Sequence, residues 1–313
     1  MTPCETRLDS DAYASAQPKL SVLAPFYRED PSHLLRALDA EAGSLAGVVE
    51  IITLDDGSAD DQLAGFVSST ISRMASPARF IRLAANVGRA RGRNRLAAEA
   101  RGEWLLFLDS DMAPDSQHFL GVYLDLIEQQ APPPVVCGGF SLHQAPEEPD
   151  HALHRHMALK SDCLPAAQRN LAPEKHVFTS NLLVRRDVFE TVRFDEDFRG
   201  WGWEDVEWAM RVARNHPITH IDNPATHLGL DAAPVIAAKY EQSAANFARV
   251  VAEHLEVVET YPSYRLAKAM KHAPLRQTWR PMLKSIALAD RLPLGARDFA
   301  MRLYRAALYA EAV

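Results

Sequence analysis

The segment LDSDM, residues 108–112, places two carboxylates two positions apart at the end of an apolar run. The run EWLLFL over 103–108 predicts a buried strand, so Asp109 and Asp111 would reach the same edge of a sheet. Two carboxylates there suit a hard divalent cation that also takes phosphate oxygens. The alternative is a polar turn in which an Asp caps a helix at 115–130. The pair alone does not decide between the two.

A second acidic stretch, LDDGSADD over 54–61, also follows an apolar run, VVEIITL over 48–54. Asp and Gly are turn residues, and Ser58 or Asp60 can cap the next helix. In the functional interpretation, Asp56 accepts hydrogen bonds from a nucleotide base. Two acidic strand ends in one crevice favour the functional interpretation, because a turn alone does not require both.

The segment NVGRARGRNRL, residues 86–96, places four arginines at the start of a predicted helix. Helix N-termini attract anions, and guanidinium groups suit diphosphate. An exposed basic face is the alternative, and we prefer it for Arg89, Arg91 and Arg95. Arg93 is the residue that we expect to bind the diphosphate.

The segment GWGWEDVEW, residues 200–208, holds three of the five tryptophans of the chain and three acids. A core helix would bury its aromatic residues and leave its acids outside, whereas here the two types are interleaved. This pattern indicates a surface that contacts something with both an apolar face and polar groups.

The elements that must position these residues alternate between apolar strands and segments of helical length. This alternation predicts βαβ units with a parallel sheet and right-handed crossings. In such sheets ligands bind beyond the carboxyl ends of the strands, where PFY, DDGS and DSD occur. The predicted strands are 20–27, 48–54, 78–83, 103–108, 176–190 and 217–222, and the predicted helices are 32–42, 90–100, 115–130 and 232–256.

Composition and charge exclude several classes of protein. The net charge of -7 argues against nucleic acid as a partner, although the tail from Tyr261 carries ten Lys and Arg against three acids. Three scattered cysteines without a CxxC pair indicate a reducing compartment with neither a disulfide framework nor a zinc site. No apolar run has the length of a signal peptide or of a membrane span. We therefore expect a cytoplasmic protein.

Five motifs in order resemble those of the family 2 glycosyltransferases of the GT-A fold: PFYRED, DDGSADD, N-x-G-x-x-x-G-R-N, FLDSDM, and GWGWEDVEW followed by HLG. The last is similar to the GWGGED motif of galactosyl- and N-acetylgalactosaminyltransferases and of bacterial chondroitin-type polymerases. The resemblance implies an α/β fold with a Rossmann-like GT-A domain that uses a nucleotide-diphospho-sugar. We expect a flexible leader over 1–18, the GT-A domain over 19–232, and a helical, basic C-terminal extension over 233–313.

The resemblance also implies roles in binding the nucleotide. Pro25 and Phe26 would flank the base, and Asp56 would bond to it. Arg93 would stabilise the leaving diphosphate together with a metal.

The metal implied by the resemblance is Mn²⁺ or Mg²⁺, held by Asp109 and Asp111, with Asp109 also placed at the donor. His227, in THLG, matches a histidine that often completes the metal site in this family. His220 is the alternative ligand, but it lies inside a predicted strand.

The ED of the last motif implies that Asp205 is the general base that takes the proton of the acceptor hydroxyl. A helix N-terminus at this point would favour its ionised form. A single base opposite the leaving group implies direct displacement with inversion. Glu204 is expected to contact substrate and is the alternative base.

A sugar has an apolar ring face and hydroxyl groups at its edges. A sugar-binding site therefore combines aromatic rings with carboxylates. Trp201 and Trp203 lie before the predicted helix and are expected to stack on donor or acceptor sugar. Trp208 is expected in the core, and Glu207 is expected to pair with Arg211. Because Trp203 replaces the second Gly of GWGGED, the acceptor does not follow from the resemblance.

The leading hypothesis is a metal-dependent transferase that moves a sugar from a nucleotide-diphospho-sugar, with UDP the usual nucleotide, to a glycan or lipid-linked acceptor. A sugar-phosphate nucleotidyltransferase would need a Gly-rich loop after the first strand, and APFYRED has none. A catalytically inactive nucleotide-sugar-binding module would have lost at least one of Asp111, Asp205 or His227, and all three are present.

The basic tail, residues 261–313, sets apolar residues among Lys and Arg with helical spacing. It predicts either an amphipathic surface that lies on an anionic membrane, at its inner face, or helices that pack on the acidic domain. Both interpretations stay open at the level of sequence.

Overall fold

The computed structural model describes residues 5–272, 274 and 276–313, which form one eight-stranded and one three-stranded sheet together with helices. The strands are β1 Glu5–Asp9, β2 Leu20–Phe26, β3 Val49–Asp55, β4 Ala78–Leu83, β5 Trp104–Leu108, β6 Met112–Pro114, β7 Val135–Cys137, β8 Phe140–Ser141, β9 Asn181–Arg185, β10 Ile218–His220 and β11 Ala225–His227. The α-helices are α1 Ser32–Ala42, α2 Asp61–Ile71, α3 Arg89–Glu99, α4 Phe119–Ile127, α5 Ala152–Ser161, α6 Ala166–Arg169, α7 Arg186–Thr191, α8 Glu204–Ala213, α9 Ala233–Glu253, α10 Leu255–Val258, α11 Pro262–Lys271, α12 Arg276–Leu288 and α13 Leu294–Tyr309. Short 3₁₀ helices span Pro149–His151 and Pro173–His176.

The larger sheet has the strand order β1-β4-β3-β2-β5-β9-β7-β10. Its centre, β4-β3-β2-β5, is parallel, as the alternation of strands and helices predicts. Every residue of β3 and β5 is buried, which is typical of parallel strands covered on both faces. The whole sheet is mixed rather than parallel, because β1 pairs antiparallel with β4 and β9 pairs antiparallel with both β5 and β7.

The first residues differ from the expected flexible leader over 1–18, because β1 forms an edge of the sheet. Its sequence is polar and lacks an apolar pattern, so backbone pairing and ion pairs hold it instead. The Glu5 carboxylate lies 2.7 Å from the Arg95 guanidinium, and the Tyr13 ring is buried under the Arg101 guanidinium. Such an edge strand leaves little signal in hydrophobic periodicity.

Helices cover both faces of the larger sheet. On one face α1, α2 and α4 pack against alternate residues of β2, and the predicted apolar stripe Leu34, Leu35 and Leu38 is buried there. On the other face α3, α7 and α8 pack around Leu23 and Trp208. The result is a three-layer α/β arrangement in which the carboxyl ends of the central strands open on one edge.

The predicted strand over 176–190 is shorter than expected. β9 occupies its middle, and the helix α7 follows directly. The backbone N–H of Arg186 donates to the carbonyl oxygen of Glu103 at 2.9 Å, which ends the ladder with β5.

The smaller sheet, in the order β6-β11-β8, stands beside this edge. β6 starts one residue after Asp111, and its Met112 pairs with His227 of the antiparallel β11. The register of this sheet therefore carries the THLG segment to the LDSDM segment, more than a hundred residues away in sequence.

The tail is helical, as predicted, and packs on the domain. Helices α9 and α11–α13 share an apolar cluster, to which α13 contributes the buried Met301, Tyr304 and Leu308. The side chains of Trp201 and Trp203 pack against the same cluster. Within the part of the chain that the structure describes, no helix combines the length and the apolar character needed to cross a membrane.

Two glycines give a matched test of this backbone. Gly57 lies in the turn after β3 with φ of +73°, and a Cβ there would lie 2.2 Å from the carbonyl carbon of Ala85. Gly65 lies inside α2, and a Cβ there would meet nothing within 4 Å. We expect Gly57→Ala to lower the free energy of unfolding by about 3 kcal/mol or more, because strain and a clash add. We expect Gly65→Ala to raise it by up to about 1 kcal/mol.

Urea unfolding of both variants measures this contrast. Equal stability of Gly57→Ala and the wild-type chain would show that the turn does not have the described close approach.

Candidate active site

The first acid of the LDSDM segment is ionised and held on both sides. Leu108 pairs with Asn181 in the ladder of β5 and β9, so the residues beyond, Asp109 and Ser180, meet. The Ser180 hydroxyl donates to Asp109 Oδ2 at 2.6 Å, and Arg93 Nη2 donates to Oδ1 at 2.7 Å. Burial raises the pKa of Asp109, but the Arg93 charge and the Ser180 hydrogen bond outweigh it and lower the pKa to about 2.

The second acid meets the histidine of the THLG segment. His227 Nε2 donates to Asp111 Oδ2 at 3.1 Å, and the backbone N–H of Leu228 donates to the Asp111 carbonyl oxygen at 2.9 Å. A Cβ on Gly229 would lie 2.0 Å from Asp111 Oδ2, so a larger residue there would displace the Asp111 carboxylate. Burial lowers the pKa of His227, but the Asp111 carboxylate more than compensates and raises it.

The alternative histidine is engaged elsewhere. His220 is buried, its Nδ1 accepts from Arg169 Nη1 at 2.8 Å, and its Nε2 donates to the Pro173 carbonyl oxygen at 2.9 Å. Both of its ring nitrogens are used, so the geometry favours His227 beside the acid pair.

These residues fit a divalent cation. Asp111 and His227 offer a carboxylate oxygen and an imidazole nitrogen only 3.1 Å apart, a donor pair that suits Mn²⁺ and, less well, Mg²⁺. Each carboxylate oxygen of Asp109 already accepts a hydrogen bond. Each oxygen keeps a second lone pair, but the two hydrogen bonds restrict rotation of the side chain.

A separate group, Glu207, Glu253 and His254, also brings ligand-type atoms within 4.8 Å of one another. There the Glu207 carboxylate accepts from Arg211 at 2.6 and 2.8 Å and from His254 at 3.1 Å. This group is an ion-pair network, and it includes the predicted pair of Glu207 with Arg211.

The arginine expected at the diphosphate is buried among acids. Arg93 is 2% exposed, and its Nη1 lies 3.5 Å from Glu204 Oε1, while its Nη2 binds Asp109. Nε and Nη1 of Arg93 have no hydrogen-bond acceptor among the described residues. Arg89, which we expected on an exposed basic face, lies 3.9 Å from Glu204 and is the more accessible cation at this edge.

The expected general base lies in the first turn of α8. Its neighbour Glu204 is buried, and Asp205 Oδ1 accepts from the Val206 N–H at 2.8 Å. The N–H group of Val206 at the helix terminus does lower the pKa of Asp205, as expected, but other effects outweigh it. Burial and the adjacent Glu204 carboxylate outweigh the Arg93 charge and raise the pKa to about 7. A pKa near neutrality suits a group that takes up a proton during turnover.

The surroundings of the three tryptophans in this segment differ in part from the expectation. Trp203 does not present an open plate, because its indole N–H donates to Tyr309 Oη at 3.0 Å and its ring centroid lies 4.9 Å from that of Phe247. Trp201 is half-buried, with its ring 6.1 Å from Tyr240. Trp208 is fully buried, as predicted.

The expected nucleotide contact at Asp56 is also used inside the protein. Its carboxylate accepts from the backbone N–H groups of Val87 and Gly88 at 2.8 and 3.0 Å, and thereby shapes the turn before α3. The preceding acid, Asp55, is fully buried, and its Oδ2 has no hydrogen-bond donor in the described chain. That oxygen lies 3.6 Å from Arg82 Nε and is ion-paired with it, so Asp55 has a structural role.

The structure buries Phe26, the aromatic residue expected at the base. Phe26 is 3% exposed and stacks on Phe80 at 6.0 Å, so it belongs to the core rather than to a base-binding surface. Tyr27 is 39% exposed and follows the half-buried Pro25. Side chains alternate across a strand, and this alternation was the signal that distinguishes the two rings.

A family model described as Glycosyl transferase family 2 matches residues 21–193, more than half of the chain. The chain therefore belongs to glycosyl transferase family 2. Its mixed α/β architecture is the GT-A fold of nucleotide-diphospho-sugar transferases with a helical C-terminal region.

Relatives and solved structures agree with this family. An N-acetylglucosaminyltransferase of Bradyrhizobium elkanii is 32% identical over 112 residues, which are 35% of this chain and 60% of that protein. Polypeptide N-acetylgalactosaminyltransferase 3 of Drosophila melanogaster is 26% identical over 238 residues, 69% of this chain and 35% of that protein. The chain thus matches only part of the length of each.

Two solved structures share the fold. A mannosyltransferase from Pyrobaculum calidifontis in complex with GDP-Man and Mn²⁺ superposes with a TM-score of 0.57 at 15% identity, over 96% of this chain and 89% of that one. S. aureus TarS in complex with UDP-GlcNAc gives 0.52 at 16% identity, over 94% and 90%. At such identities the likeness is one of fold.

The paired Asp111 and His227 predict a shared metal site. We expect Asp111→Ala and His227→Ala each to abolish the Mn²⁺-dependent part of donor binding, because each removes a ligand of the same cation, with Asp109→Ala also impaired. Calorimetry with UDP-GlcNAc, with Mn²⁺ or with EDTA, measures it.

The control is His118→Ala, an exposed histidine whose contact, at 3.4 Å, is with Asp125. It should bind as the wild-type chain does. Normal Mn²⁺-dependent binding by His227→Ala would remove His227 from the metal site.

Proposed function

We propose that this protein transfers a sugar from a nucleotide-diphospho-sugar, with a UDP-sugar as the leading donor, to a hydroxyl of a glycan or of a lipid-linked saccharide, with inversion at the anomeric carbon. One observation carries the proposal. Asp111 and His227 lie 3.1 Å apart, and Arg93 links Asp109 to the acidic start of α8. These residues combine a pair that suits a cation with a carboxylate, Asp205, whose pKa is raised to about 7.

The reaction needs two kinds of group, a cation that stabilises the leaving diphosphate and a base that takes up a proton. The acceptor hydroxyl oxygen attacks the anomeric carbon while the bond from that carbon to the diphosphate oxygen breaks, and its electron pair leaves with the diphosphate. The hydroxyl proton passes to the Asp205 carboxylate. A divalent metal held by Asp111 and His227 would neutralise charge on the diphosphate, while Asp109 is held by Arg93 and Ser180 and does not join that pair at ligand distance. The accessible Arg89 at the start of α3 adds positive charge at the same edge.

The donor class is supported by the relatives. Two are named for transfer of N-acetylhexosamines, and one structural neighbour is in complex with UDP-GlcNAc and another with GDP-Man and Mn²⁺. We therefore place UDP-N-acetylhexosamines first among the donors. Trp203, which the resemblance places at the position of a glycine, hydrogen-bonds to Tyr309 of the tail, so we do not carry over an acceptor from the resemblance.

Nucleotide release tests the function. We expect the protein to release UDP from UDP-GlcNAc or UDP-GalNAc with Mn²⁺, faster when an acceptor saccharide is present, and not with EDTA. Asp205→Asn should reduce the rate by about 10²–10⁴-fold, because an amide cannot accept the proton, and should leave donor binding intact. The wild-type rate should fall as the pH drops below about 7, where Asp205 becomes protonated.

An Asp205→Asn variant with wild-type turnover would move the base to Glu204. Donor binding without turnover by the wild-type chain, across donors and acceptors, would support the inactive binding module instead.

We further propose that the tail contacts an anionic membrane surface, as a lipid-linked acceptor would require. Although α13 packs on the domain, large apolar side chains of the tail point outward: Trp279 is 45% exposed, Met282 52% and Phe299 64%. The cations Arg265 and Arg291 are also exposed. Exposed aromatic and basic residues together favour the interface of an anionic bilayer.

Sedimentation with liposomes tests this contact. Removal of 261–313 would be uninformative, because α13 contributes Met301 and Tyr304 to the core. We expect the full chain to co-sediment with anionic vesicles at low salt, and Trp279→Ser with Phe299→Ser to lose most of this binding. Phe66→Ser is the control, since this phenylalanine is 56% exposed but lies on α2.

Failure of the full chain to bind such vesicles at low ionic strength would show that the tail has a structural role only.

A further inference from the structure

The C-terminal helix reaches the loop that carries the proposed general base. Trp203 directly precedes α8, and its backbone has φ of +77°, a left-handed conformation that a non-glycine residue adopts only when its surroundings hold it. Its carbonyl oxygen accepts the first hydrogen bond of α8, from the Glu207 N–H at 2.9 Å. The placement of Trp203 therefore sets where α8 begins, and Asp205 lies two residues later.

The Trp203 ring is fixed by an aromatic cluster of the C-terminal region. Its centroid lies 4.9 Å from Phe247 of α9 and 6.0 Å from Tyr309 of α13. Phe247 and Tyr309 stack on each other at 4.2 Å with an interplanar angle of 19°. Both are nearly or fully buried, so the ring of Trp203 rests on a rigid surface.

A directed chain of hydrogen bonds runs through the same cluster. The Ser243 hydroxyl donates to the Tyr240 carbonyl oxygen at 2.9 Å. With that proton used, the Tyr309 hydroxyl donates to Ser243 Oγ at 2.7 Å, and Tyr309 Oη in turn accepts from the Trp203 indole N–H at 3.0 Å. Each donor has one acceptor, so the Tyr309 hydroxyl links Trp203, the residue before α8, to Ser243 of α9.

A side chain of α9 also hydrogen-bonds to the backbone of the loop that precedes α8. The Asn246 side-chain amide donates to the carbonyl oxygens of Arg199 and Gly202 at 2.9 and 2.8 Å. Gly202 has φ of +89°, and a Cβ there would lie 3.4 Å from Ser243 Cβ. The loop thus packs directly on α9, and Tyr309 of α13 contacts it through Trp203.

We propose that Tyr309 is a positioning residue for Asp205, and that α13 is thereby a working part of the active site. The proposal rests on the proposed function for its kinetic consequence. Tyr309 acts through Trp203: its hydroxyl contacts Trp203 and Ser243, and neither is a proposed metal ligand. A misplacement of about 1 Å at a reacting group can cost about 10²-fold in rate, so a hydroxyl this distant can matter.

The test is Tyr309→Phe, which keeps the ring on Phe247 and removes the hydroxyl. We expect kcat per donor-binding site, counted by calorimetry, to fall about tenfold, with KM for the UDP-sugar unchanged. The acid limb of the pH–rate profile should also move, which a simple loss of folded protein would not cause. Tyr304→Phe is the matched control: it lies on the same helix, but its hydroxyl donates to Glu241. It should keep the wild-type kcat.

A second variant removes the same hydrogen bond from the other end. Trp203→Phe should lower kcat to a similar extent, and the double variant with Tyr309→Phe should be no slower than the slower single variant, because both break one contact. This variant also carries the test if Tyr309→Phe does not fold. Wild-type kcat and an unmoved acid limb in Tyr309→Phe would overturn the proposal.

Hydrogen exchange of the Trp203 indole N–H gives a readout that needs no turnover. Exchange should be slow in the wild-type chain and in Tyr304→Phe, and fast in Tyr309→Phe. Slow exchange in Tyr309→Phe would overturn the contact itself. Absence of turnover in the wild-type chain would instead reject the proposed function, and the two failures are therefore distinguishable.

Discussion

The buried guanidinium of Arg93 is the interaction on which the candidate site depends. It is 2% exposed and lies between Asp109 at 2.7 Å and Glu204 at 3.5 Å. A buried charge is tolerated only when it is paired, and breaking such a pair costs about 3–5 kcal/mol. Because Arg93 lies on α3, Asp109 directly follows β5 and Glu204 begins α8, the charge network ties these three elements together. Each of the two acids therefore has a structural role in addition to the chemical role proposed for the site.

The same network explains why two neighbouring acids have opposite pKa shifts. Asp109 binds Arg93 directly, and its pKa falls to about 2 despite burial. Asp205 feels the Arg93 charge only at a distance and sits beside Glu204, so burial and like charge raise its pKa to about 7. One arginine thus leaves a permanent carboxylate on the side of the proposed donor and a carboxylate that can exchange a proton on the side of the proposed acceptor.

Sequence predicted what local pattern determines and missed what distant contacts determine. The central parallel strands, the buried face of α1 and the buried Trp208 follow from periodicity, and the pairing of Glu207 with Arg211 follows from helical spacing. The polar strand β1 was missed because ion pairs and an edge position hold it. The hydrogen-bond partner of Trp203 is Tyr309 of α13, which lies 106 residues away in sequence. No local sequence pattern predicts such a contact. The burial of Phe26 and the exposure of Tyr27 differ by a single step along the chain, which reverses the face of a side chain.

The charge asymmetry of the chain is partly resolved by folding. Cations of the tail pair with acids: Lys284 lies 2.7 Å from Glu241 of α9, and Arg302 lies 2.6 Å from Asp298 within α13. These pairs agree with helices that pack on the domain, while Trp279, Met282 and Phe299 stay exposed. The two interpretations of the tail therefore concern different faces of the same helices and do not exclude each other. A tail that both holds the Trp203 loop and meets a membrane surface would place the general base at a fixed position relative to that surface, which is what transfer to a lipid-linked acceptor requires.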